Sequence, residues 1–113
     1  MTKYLISFPS RAMEVADDEW ELVGRETHAV AQQAKDAGVW VFGGGINESV
    51  APVRVAGDGT VTEGAYHENE RLSGGFAVLE LPSRDAALEW AARLAVSCRG
   101  PQEVLEFIYD PES

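Results

Sequence analysis

The chain has 113 residues, 45% of them apolar, with a net charge of −10 and an isoelectric point near 4.5. That length suits one domain, 1–113, with a modest core, and that apolar content argues against disorder of the whole chain. The acidity repels phosphates and anionic lipid, so neither nucleic acid nor membrane is an expected partner.

Lys3 to Phe8 reads as a strand with Tyr4, Ile6 and Phe8 on one face, ended by Pro9 and Ser10. From Asp18 to Ala37, Trp20, Val23, Thr27, Val30, Ala31, Ala34 and Ala37 recur every three or four residues, the stripe of an amphipathic helix. Asp17 or Asp18 is its expected cap and Gly38 its C-terminal stop. Val39 to Phe42 reads as a strand leading into Gly43-Gly44-Gly45. That triplet lacks the Lys-Ser/Thr of a phosphate loop, so it suggests a bulge or a close backbone approach. Pro52–Ala56 and Thr60–Glu63 flank Gly57-Asp58-Gly59 as a hairpin. Gly75 to Leu81 is a strand, Ser83 caps a helix running to about Ser97, Gly100-Pro101 breaks it, and Glu103 to Tyr109 is the last strand.

Strand, helix, strand, hairpin, strand, helix, strand is the split βαβ order of a ferredoxin-like α+β fold, with both helices on one face of an antiparallel sheet. A sheet covered on one face should alternate apolar and polar residues. These strands do not: Phe76 and Val78 point one way, Ala77, Leu79 and Leu81 the other. Two apolar faces and helices for only one imply a homodimer stacked sheet on sheet, a ligand-filled pocket over the open face, or both. Trp40, between Val39 and Val41, is the aromatic with a possible place in the cleft between copies.

One cysteine, Cys98, allows no internal disulfide, and near a helix C-terminus it reads as a small buried hydrophobe rather than a thiolate nucleophile. Tyr4-Leu5-Ile6 is too short for a signal or a membrane span, so the expected location is cytoplasmic. Trp20 and Trp90 read as core or interface aromatics.

Between the hairpin and the next strand, the run VTEGAYHENERLSGGF, Val61 to Phe76, follows neither helical nor strand period. Long loops in small domains are usually functional or mobile. Glu63, Tyr66, His67, Glu68 and Arg71 are its candidate ligand-binding residues, with His67 as acid–base. The plainer reading is that Glu68 and Arg71 form an ion pair holding the loop while His67 is solvated. His28 lies on the flank of the first helix, off the apolar stripe. It is the second acid–base candidate, and a surface histidine is its plainer reading. No His-x-His pair or similar ligand set points to a metal, and no cofactor is expected.

This run resembles the DGPF-type branch of the YCII-related family. That pattern runs Val-Thr, Asp-Gly-Pro-Phe, then Glu, a Lys-Glu pair and Gly-Gly-Phe. Here Val61, Thr62, Gly64, Glu68, Gly74, Gly75 and Phe76 match. Glu63 replaces the aspartate, Ala65 the proline and Tyr66 the phenylalanine, and Glu70-Arg71 reverses the charged pair. The N-terminal Lys-Tyr strand and Ala87 to Ala91 (Ala-Leu-Glu-Trp-Ala) also look like the family. The resemblance implies a dimeric α+β barrel. It does not imply one activity, because the wider fold includes small degradative enzymes, monooxygenases and domains beside transcription factors. Some of its members carry a histidine in the first helix paired with an aspartate; Asp36 here lies about 80° around the helix from His28. The leading expectation is a homodimeric small-ligand or partner-binding module without established catalysis. The alternatives are a cofactor-free enzyme using a His/carboxylate acid–base, with Arg71 on an anionic group, and an accessory module of a transcription regulator acting by protein contacts.

Overall fold

Strand β1 (Thr2–Phe8) lies at the centre of the chain's main sheet because its alternation sends Tyr4 and Ile6 to one side and Leu5 and Ser7 to the other. A computed structural model describes residues 1–67 and 72–113. After a short turn at Ser10–Ala12 come α1 (Trp20–Asp36), β2 (Trp40–Gly45), the hairpin strands β3 (Val53–Val55) and β4 (Val61–Glu63), β5 (Gly75–Leu81), α2 (Arg84–Cys98) and β6 (Glu103–Glu106). The main sheet has the order β2-β5-β1-β6 with every neighbouring pair antiparallel, the ferredoxin-like α+β topology expected from the element order. Strands β3 and β4 form a separate two-stranded sheet.

Both helices pack on one face. Ile6, Leu79 and Leu81 are each 1% exposed and join Tyr4, Ala77, Ala34, Ala87, Ala91 and Leu94 in the core. In α2 the buried positions Ala87, Ala91, Leu94 and Cys98 keep the helical spacing, and Ser83 Oγ accepts from Ala86 N–H at 3.2 Å as its cap. Cys98 is buried, as a small hydrophobe should be. The cap expected for α1 is absent. Glu19 at the N-cap is already near-helical (φ −100°, ψ −9°), so no extended residue there presents a capping side chain. Gly38 does stop α1, at φ +75°.

Among the described residues the opposite face is left open. Phe42 pairs with Val78, Val78 with Leu5, and Leu5 with Leu105, so an apolar row crosses all four strands on the side away from the helices. Phe42, Leu105 and Phe107 are exposed there. The molecule is correspondingly flat, 43 × 43 × 19 Å, with a radius of gyration of 15.6 Å. A compact chain of this length would measure about 13 Å. The two-faced sheet read from the sequence is therefore present.

Two strand readings need correction. The register of β2 against β5 shifts between Trp40 and Phe42, so Val41 is an extra residue. The shift puts Trp40 opposite Leu79 on the helix side and hands the open face to Phe42. Trp40 is thus not on the bare face. The last strand ends at Glu106 rather than Tyr109: Phe107 N–H still reaches Lys3 O at 3.0 Å, but the register has then reached the first residues of β1. Ile108 and Tyr109 are left 92% and 82% exposed. Among the described residues no helix is long and apolar enough to cross a membrane.

Candidate functional site

The helix side carries a cleft of about 510 Å³ between α1 and the sheet. Its apolar walls come from Met13, Trp20, Val23 and Trp40, and its polar groups are Thr27, His28, Lys35 and Gln102. The stripe of α1 explains this wall. Val23 and Ala34 bury into the core, and His28, next to Thr27, reaches the rim while remaining exposed. Trp20, read as a core or interface aromatic, is 53% exposed at the mouth. Trp40 lies across the floor. A β-carbon on Gly43 would stand 2.5 Å from the Trp40 ring, so the glycine triplet leaves room for the indole. Lys35 Nζ lies 5.8 Å from the Trp40 ring centre, a cation over an aromatic face.

The two helices are tied together by charge. Arg99, in the left-handed region at φ 60°, terminates α2 and reaches back to α1, with its guanidinium 2.7 Å from Glu26 and 3.6 Å from Glu19. The Arg99 hydrogen bond holds the Glu26 carboxyl below the usual carboxylate range. A carboxyl held low contributes stability above its unfolded pKa and loses it as the pH falls through the folded value. Glu26→Gln is therefore expected to lower the melting temperature at pH 7 but not at strongly acid pH. Melting curves across the acid limb check this; an equal deficit at every pH would remove the charge from the explanation.

Glu68 and Arg71, with Asn69 and Glu70, lie outside the described residues. Glu63 and Tyr66 are exposed. His67 is exposed too and lines a second depression, of about 990 Å³, against the β3–β4 hairpin with Arg54 and Tyr66. His28 and His67 thus belong to different depressions. Asp36, the aspartate weighed as a partner for His28, accepts from Gln32 Nε2 at 2.9 Å. Among the described residues no His, Cys, Asp and Glu side chains gather as metal donors.

The C-terminal end of the loop is held by a residue that sequence reasoning passed over. Glu48 accepts from Ser10 Oγ at 2.9 Å and from Gly74 N–H at 3.3 Å, while Ile46 N–H donates to Gly74 O at 2.7 Å. Ser73 Oγ accepts from Ser10 N–H at 3.1 Å. Gly74 sits at φ +66° where three segments meet. A family model for the YCII-related domain matches residues 4–107. The chain belongs to the YCII-related family. No curated protein matches it. Gly74 has a physical reason to be glycine, since a side chain there would meet the Phe8 carbonyl at 2.3 Å. Lys35 and Gln102 at the cleft, and Glu48 at the end of the loop, are the residues the sequence did not announce. Lys35 ends a helix whose heptad-like stripe excludes it, and Glu48 sits in a stretch with no periodicity.

Proposed function

We propose that the chain is a homodimeric YCII-related protein that binds a small organic molecule in the cleft between α1 and the sheet. The observation that carries this is the cleft itself. Its volume falls within the range of about 300–1,000 Å³ typical of ligand sites, with aromatic walls and a few polar groups. Lys35 at its rim favours a flat ligand carrying an anionic group, unusual in a chain of net charge −10. The run Val61 to Phe76 supports placement near the DGPF-type branch, and the bare apolar face of the sheet supports the dimer.

The cofactor-free enzyme remains the second reading, with His28 rather than His67 as its acid–base, because His28 is the histidine that lines the cleft. Thermal-shift screening against aromatic and aliphatic carboxylates tests the ligand reading. A hit is expected to raise the melting temperature of the native protein and to lose that effect in Trp20→Ala and Lys35→Ala. A stabilising compound that acts equally on both variants would move the site elsewhere. If a hit is also consumed, His28→Ala should abolish turnover while leaving the thermal shift in place.

A further inference from the structure

We propose that the β3–β4 hairpin is an arm whose depression receives the segment after β6 of a second copy, so that each groove is completed by the partner. This rests on the dimer reading above and names what its two ends do.

Three observations carry it. The first is the groove's own make-up. It is lined by Ile46, Val50, Val53, Val55, Tyr66 and Leu72, and Val50, Val55, Tyr66 and Leu72 are all more than 60% exposed. A two-stranded hairpin with such a face is marginal by itself in water. Within it stands Arg54, whose Nε is buried without a hydrogen-bond partner among the described residues and whose guanidinium lies 5.9 Å from the Tyr66 ring centre. A buried cationic donor left unpaired is costly, and the group that relieves it is an acid.

The second is a segment of complementary chemistry. Phe107, Ile108 and Tyr109 leave the sheet with large apolar side chains in solvent and are followed by Asp110 and Glu112. Ile108 and Tyr109 match an apolar groove, and the acids match Arg54. The third is placement. The hairpin depression shares Ile46 and Leu72 with the hollow over the bare sheet face beside Phe76 and Val78. The segment after β6 borders that face at its other end, beside Met1, Val41 and Glu80. Arm and segment therefore stand at opposite ends of one open face. A two-fold axis between stacked sheets and across the strands brings each arm onto the partner's segment, twice by symmetry.

The test uses the full chain with Cys98→Ala and two single-cysteine versions, Val53→Cys and Ile108→Cys, one carrying a size tag. The two are mixed, allowed to exchange subunits and treated with a short bismaleimide. The expected product is the mixed Val53–Ile108 cross-link. Arg54→Glu should reduce its yield several-fold, and reversing Asp110 and Glu112 to arginine in the other chain should restore it. A dimer by light scattering that yields only like-with-like cross-links, or none, overturns the arm while leaving the dimer standing. A monomer by light scattering overturns both. Loss of the mixed product in Arg54→Glu without rescue would remove the charge pairing.

Discussion

Replacing Gly74 by alanine is expected to destabilise the fold by about 3 kcal/mol or more. The backbone there is left-handed at φ +66°, which alone costs an L-residue about 1–2 kcal/mol. The larger part is contact. The added β-carbon would lie 2.3 Å from the Phe8 carbonyl oxygen and 2.9 Å from the Ser10 amide. Both are backbone atoms, so no side chain can rotate away. Movement would break the Ile46 N–H to Gly74 O bond and the Glu48 bridge, which together fix the junction of β1, β2 and β5. Gly38 is the internal control: its φ is +75°, yet nothing lies within 4 Å of a β-carbon there. Gly38→Ala should show only the conformational cost. Urea titration of the two variants separates strain from collision, and equal losses would mean that the close approach carries no weight.

The same contrast shows what the sequence made legible. Regular elements were readable because periodicity is local. The stripe of α1, the Ser83 cap and the β5 alternation each lie within a few residues of the groups they involve, and the ferredoxin-like order follows from them. The two-faced sheet was readable for the same reason. Apart from the missing α1 cap, what failed depends on register between distant segments. Trp40 and Phe42 exchange faces because Val41 is inserted against β5, and a bulge has no signature in a run of Trp-Val-Phe. Ile108 and Tyr109 alternate as a strand does, but the ladder with β1 ends at Tyr4 and Glu106.

The site followed the same rule. The polar loop drew attention to His67 because its chemistry is dense in sequence. The cleft draws Trp20, His28, Lys35 and Trp40 from two elements, and Gln102 from a third segment. Apart from Thr27 beside His28, they are scattered along the chain. Glu48 reaches Ser10 across 38 positions, a pairing no local pattern announces.

Neighbours on β5 offer the sharpest test of the bare face. Leu79 is 1% exposed on the helix side, and Val78, next along the chain, points the other way between Phe42 and Leu5. Leu79→Lys would bury an unpaired charge in the core and is expected to unfold the chain. Val78→Lys should behave differently. In a lone subunit the lysine stem lies along the half-open face with its ammonium in water, so the fold survives with a modest loss. In a sheet-on-sheet dimer the same lysine enters a layer about 10 Å thick, with its symmetry mate close by. Two desolvated like charges there should shift the protein from a dimer to a species of 12.3 kDa at micromolar concentration. Light scattering reads the mass, and far-ultraviolet circular dichroism reports whether the fold is kept. A folded Val78→Lys monomer beside a dimeric native chain would place the interface on this face. A folded Val78→Lys dimer would place it elsewhere and would leave the row Phe42, Val78, Leu5 and Leu105 as the wall of a second ligand site.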